Sequence, residues 1–96
     1  MANKGSNIFD LTGKTVMITG AGGLLGPKHA EAVIEFGARA VITDHHKDRA
    51  YARAEELNSK YGNECAIPFY MDVTKKETIQ NVVNKLDRID VLINNA

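Results

Sequence analysis

Thr15-Val16-Met17-Ile18-Thr19-Gly20-Ala21-Gly22-Gly23-Leu24-Leu25-Gly26 is the stretch that decides the fold. Its first five residues are β-branched or apolar without polar alternation, the pattern of a short strand covered on both faces. Beyond the glycines, Leu25, His29/Ala30, Val33 and Ile34 recur at helical spacing. Pro27 falls in the first turn of that helix, where a missing N–H does little harm, and Gly37 stands where the helix stops. A strand that passes through a glycine turn into a helix presents backbone N–H groups and the positive end of the helix dipole to an anion. Thr19, Gly20, Gly22, Gly23, Leu24, Leu25 and Gly26 are therefore candidate contacts for a pyrophosphate, glycine being needed where the backbone must approach it. The spacing departs from the general G-x-G-x-x-G because Leu25 stands at the last glycine. It is not a phosphate-binding P-loop either, since Lys28 follows a proline and no Gly-Lys-Ser/Thr run exists. Taken alone, these glycines are equally compatible with a tight turn that holds no ligand.

Outward from that stretch the chain alternates. Ala40 to Thr43 reads as a second strand closed by Asp44, and Lys47 to Lys60 as a surface helix with Ala50, Ala54 and Leu57 on its inward face, stopped at Gly62. Cys65 to Met71 reads as a third strand, and Pro68 within it points to a sheet edge, because proline cannot donate to a ladder. Thr74-Lys75-Lys76-Glu77 has the spacing of a capping box opening a helix with Ile79, Val82, Val83 and Leu86. Ile89 to Ile93 is a fourth strand. The order β-α-β-α-β-α-β with right-handed crossovers predicts a parallel sheet covered by helices, a Rossmann-type doubly wound α/β fold in one unit. Residues 1–8 are expected to be flexible.

Asp44 changes the weight of the glycine turn. It ends the second strand about 20 residues after the glycines, where a carboxylate can accept from both ribose hydroxyls of an adenosine and would repel a 2′-phosphate. NAD is expected over NADP, although His45, His46 and Lys47 could rescue phosphate binding. The alternative for Asp44 is a helix cap or a solvated loop acid.

Composition excludes several function classes. Twelve basic and twelve acidic residues cancel in a chain of 96, so no basic excess exists for nucleic acid. No run approaches the ~20 apolar residues of a membrane span, and the first ten residues lack the apolar core of a signal peptide. The single Cys65 has no partner for a bridge or a zinc pair, which fits a reducing cytoplasmic setting. No metal site is expected: adjacent histidines cannot easily face one ion.

From Phe9 to Ala96 the chain resembles the short-chain dehydrogenase/reductase family. The lead-in Phe9-Asp10-Leu11-Thr12-Gly13-Lys14 resembles the approach to that family's first strand, and Thr19 to Gly26 its cofactor motif. Met71-Asp72-Val73-Thr74 resembles the segment whose acid bonds the adenine ring. Asn94-Asn95-Ala96 resembles the start of its Asn-Asn-Ala-Gly motif beside the cofactor. The resemblance thus implies Asp72, Val73, Asn94, Asn95 and Ala96 as further cofactor contacts. Leu24 stands at the middle glycine of the common T-G-x-x-x-G-x-G pattern. Gly20, Gly23 and Gly26 instead fit T-G-x-x-G-x-x-G of the extended, sugar-nucleotide-handling subgroup, against which the Asn-Asn-Ala ending counts. The stretch from Thr74 to Ile89 is about one helical turn short for the family.

The family's catalytic Ser and Tyr-x-x-x-Lys are not found. Tyr51, Tyr61 and Tyr70 are followed four residues on by Glu55, Cys65 and Thr74, so no catalytic residue is assigned and this chain alone is expected to be inactive. The expected function is the NAD(P)-binding portion of an oxidoreductase that moves a hydride between nicotinamide and an alcohol or ketone, the substrate being met only by a longer parent. A non-catalytic dinucleotide-binding module, a nonfunctional truncation and an extended-type epimerase or dehydratase stay open. Strand four, apolar and at an edge, is expected to promote self-association.

Overall fold

The structure is a computed structural model, and it describes residues 10–20, 26–62 and 64–94. The expectation for residues 1–8 lies outside them.

The described elements are β1 (Thr15–Thr19), α1 (Gly26–Glu35), β2 (Arg39–Asp44), α2 (Lys47–Tyr61), β3 (Ala66–Tyr70), α3 (Lys76–Lys85) and β4 (Val91–Asn94). The strands form one parallel four-stranded sheet in the order β3-β2-β1-β4. This is the Rossmann-type α/β arrangement that the alternation of elements predicts. All of β1 is buried, as is β2 from Ala40 onward. The two strands read as unbroken apolar runs because helices cover both of their faces.

Side chains along β1 alternate between two cores, as strand geometry requires. Val16 and Ile18 join Ala40 and Ile42 beneath α1 and α2, meeting Ala30, Val33, Ala50, Ala54 and Leu57. Met17 and Val41 point the other way, toward Val82 of α3 and Met71, with Ile79 and Leu86 packed alongside. Each fully buried Val or Ile contributes about 1.5–3 kcal/mol. β3 is an edge strand, and Pro68 lies within it. Among the described residues β3 pairs only with β2.

Gly37 ends α1 as expected, at φ +100°. Its N–H donates to the Ile34 carbonyl at 2.9 Å, and the Ala38 N–H donates to Val33 at 3.0 Å. This is a Schellman closure, which needs a left-handed residue at that point. A Cβ there would also stand 2.7 Å from Thr12 Oγ1.

The capping box at 74–77 does not form. α3 starts at Lys76 with Lys75 as its N-cap, and no side chain caps it. The Thr74 hydroxyl donates instead to Asp72 Oδ1 at 2.6 Å, and the Thr74 N–H donates to the same atom at 2.9 Å. A charged acceptor two residues away outcompetes the helix end for that hydroxyl. Thr78 then secures the turn, its hydroxyl 2.9 Å from the Asp72 N–H and 2.8 Å from the Lys75 carbonyl. The fourth strand also begins later than the sequence suggests, at Val91 rather than Ile89.

Candidate functional site

The C-terminal ends of the parallel strands gather Thr19, Asp44, Asp72 and Asn94 at one end of the sheet. In open α/β sheets this is the end where ligands bind. Gly20 leaves β1 at φ +63°, a conformation that favours glycine. Gly26 is the first residue of α1. Gly22, Gly23, Leu24, Leu25, Asn95 and Ala96 lie outside the described residues.

β1 and β4 are tied at this end through side chains. The Thr19 hydroxyl lies 3.1 Å from Asn94 Oδ1 and donates to it. Thr43, fully buried, donates its hydroxyl to the Ile18 carbonyl at 2.9 Å and locks β2 to β1. These bonds hold the strand ends in register where Asp44 emerges.

Asp44 is 3% exposed. Its Oδ1 accepts the His46 backbone N–H at 2.7 Å. Around the same oxygen stand His45 Nδ1 at 3.6 Å, His46 Nδ1 at 3.4 Å and Arg49 Nη2 at 3.7 Å. The expectation that adjacent histidines cannot face one point needs correcting. The extended backbone at His46 (φ −103°, ψ 103°) lets both rings turn back on the carboxylate, and the three potential ligand atoms fall within 4.8 Å of one another. The Arg49 guanidinium already stands among them, however, and its Nη2 contacts His46 Nδ1. A metal ion there would meet a fixed positive charge.

Arg49 was not legible as a site residue in the sequence. The only available signal is its place in the first turn of α2, where helical side chains lean back toward the helix start and so toward the end of β2.

Asp72 follows β3. The Thr74 hydroxyl and N–H hold its carboxyl below the usual carboxylate range, with smaller help from Lys75 and His45. Val73 is exposed.

The tyrosines have structural roles or face solvent. Tyr61 donates to Glu35 Oε2 at 2.8 Å, which joins α2 to α1 and raises its phenol above the ordinary range, and Tyr51 lies half exposed with the Lys47 ammonium 5.8 Å from its ring centre. Tyr70 is exposed at the end of β3. Cys65 is half buried, and desolvation raises its thiol above the ordinary range. Among the described residues no helix is long and apolar enough to cross a membrane.

A family model described as short chain dehydrogenase matches residues 14–96. The peroxisomal hydratase-dehydrogenase-epimerase of Saccharomyces cerevisiae is 42% identical over 91 residues, which are 93% of this chain and 10% of that protein. A hydroxysteroid dehydrogenase structure from Escherichia coli superposes with a TM-score of 0.81 at 30% identity, covering 97% of this chain and 40% of that one. The Pseudomonas aeruginosa RhlG/NADP complex superposes with a TM-score of 0.79 at 27% identity, covering 92% of this chain and 36% of that one. The chain spans 33% to 37% of the length of four further curated relatives that it matches.

Proposed function

Because the chain belongs to the short-chain dehydrogenase family, we propose that it is the dinucleotide-binding portion of an oxidoreductase that moves a hydride between a nicotinamide cofactor and an alcohol or ketone. The observation that carries the reading is a carboxylate, Asp44, ending the buried strand beside the one that runs into the Gly20 turn and α1. A pyrophosphate would rest on the backbone between Thr19 and Gly26, and Asp44 would accept from the adenosine ribose hydroxyls. Asp72 and Val73 would flank the adenine, and Asn94, Asn95 and Ala96 would line the nicotinamide side. The bound nicotinamide would supply or accept the hydride.

We read the preferred cofactor as NAD, since the Asp44 charge opposes a 2′-phosphate. The same basic neighbours that crowd Asp44 temper this preference. No residue of this chain is assigned as acid or base, so the reading makes the 96 residues inactive alone and leaves the substrate to a longer protein. Apart from the yeast hydratase-dehydrogenase-epimerase, relatives named dehydrogenases and reductases support oxidoreduction over sugar-nucleotide epimerisation. We place the chain in the cytoplasm, which cell fractionation tests directly.

Titration of the folded chain with NAD and NADP by calorimetry is the deciding experiment. Saturable NAD binding tighter than NADP at pH 8 supports the reading, and no binding of either removes it. A frame running on into Ser and Tyr-x-x-x-Lys downstream of codon 96 would favour the enzyme over a stand-alone binding module. An unfolded 96-residue product would favour a nonfunctional truncation.

We also propose self-association through β4. Among the described residues this strand pairs only with β1, and Leu92 is 58% exposed. An apolar open edge invites another strand. Leu92→Lys should shift the sedimentation profile toward monomer.

A further inference from the structure

Taking β4 as the edge through which copies associate, we propose that Asn58 and Pro68 close the opposite edge, β3, to a second copy of this chain. With one open edge and one closed edge, association stops at a pair.

The ladder fixes which groups of β3 look outward. The Ala40 N–H donates to the Cys65 carbonyl at 2.8 Å, and the Met71 N–H donates to the Asp44 carbonyl at 3.0 Å. Residues 65 and 71 therefore turn these backbone groups toward β2, as do the odd-numbered residues between them. Ala66, Pro68 and Tyr70 turn theirs away from the sheet. Two of these three positions are blocked. Asn58, on α2, accepts the Ala66 N–H on its Oδ1 at 2.9 Å and donates from Nδ2 to the Ala66 carbonyl at 3.0 Å. A single side-chain amide thus takes the place of a neighbouring strand. Its orientation is fixed, because Oδ1 also accepts the Cys65 thiol at 3.2 Å. At the next outward position Pro68 has no N–H to offer. Only Tyr70 of the three keeps both an N–H and a carbonyl for a partner, and it is the last residue of the strand.

Charge guards the same approach. Asn58 and Pro68 line an open groove of about 570 Å³ together with Asp48 and Glu55 of α2. An incoming strand would lay its carbonyls beside two carboxylates. At β4 the edge is apolar instead, with Val91 and Leu92 exposed. Symmetry turns this difference into a limit on size. β4 against β4 uses the same patch on both chains and closes as a dimer, whereas β4 against β3 leaves a free edge at each end and grows without limit.

The test is sedimentation velocity of the full chain over a concentration series, beside an Asn58→Ala/Pro68→Val double variant, with circular dichroism to establish that each is folded. The folded wild type should show no species larger than a dimer. The folded double variant should exceed the wild-type size at the same concentration, through addition at β3. A folded double variant no larger than the wild type overturns the proposal, as does a folded wild type that forms longer assemblies. Hydrogen exchange of the wild type reads the cap even if the double variant does not fold. The Ala66 amide should be protected about tenfold more than that of Tyr70, the scale of one net hydrogen bond, although both face outward. Equal protection overturns the proposal. A wild type that stays monomeric at every concentration removes association through β4, and the closure of β3 then stands if the double variant associates and Ala66 is protected, and falls if neither holds.

Discussion

The two ends of the sheet treat the same residue type in opposite ways. At the N-terminal end, Asp90 is consumed by the fold: its Oδ2 accepts the Thr15 N–H at 2.8 Å, its own N–H donates to the Thr15 carbonyl at 2.8 Å, and Arg88 closes on both carboxylate oxygens. Nearby, the Leu11 N–H donates to Phe36 at 2.7 Å and the Schellman closure at Gly37 completes the helix end. At the C-terminal end, Asp44 also accepts a backbone N–H, and two imidazoles and a guanidinium stand within 3.7 Å of the same oxygen. One end spends its polar groups on holding strands together. The other keeps them where a ligand could compete for them.

The contrast can be broken by mutation, and it orders the expected effects. Gly20→Val should have the largest, abolishing the proposed NAD binding in a calorimetric titration, because a branched side chain at φ +63° strains the turn and would crowd a pyrophosphate resting there. Asp44→Ala should weaken NAD binding by about 1–3 kcal/mol, as loss of a charged hydrogen-bonding partner does. NADP should lose less, which a side-by-side titration would reveal. At the opposite end, Gly37→Ala should lower stability by about 1–3 kcal/mol in a urea melt, since it places a Cβ at φ +100° against Thr12. Nucleotide affinity of the folded fraction should stay as it was.

The smallest expected effect concerns acid. Thr74 holds the Asp72 carboxyl below its ordinary range, and Arg88, with the Thr15 N–H, does so for Asp90. A depressed carboxyl contributes stability that is present above its unfolded value and lost as pH falls through its folded value. The stabilisation should therefore disappear below about pH 4. Asp90→Asn should flatten that acid limb in a pH series of urea melts. An unaltered limb would mean that the bottom of the sheet is not held by this charge.

Much of the scaffold could be read from local pattern. Ala50, Ala54 and Leu57 recur at helical spacing, and they are the buried face of α2. The unbroken apolar run at 15–19 is a strand with helices over both faces. Pro68 marked an edge because the donor it lacks is a property of the residue itself. The capping box misled for an equally local reason, a competing acceptor at Asp72 that the four-residue motif does not include. The candidate site was legible only in part, since the glycines and Asp44 carry their own signals while Arg49 is marked only by its place in the first turn of α2.

By itself, the sequence determined the succession of strands and helices, their inward faces, the family, and the candidate acid at position 44, because each follows from periodicity, turn chemistry or motif within a few residues. Only the tertiary structure decided what surrounds that acid. Two rings from the loop and a guanidinium from α2 converge on one carboxylate oxygen because residues far apart in pattern are brought together when α2 packs its Ala50, Ala54 and Leu57 face against the sheet.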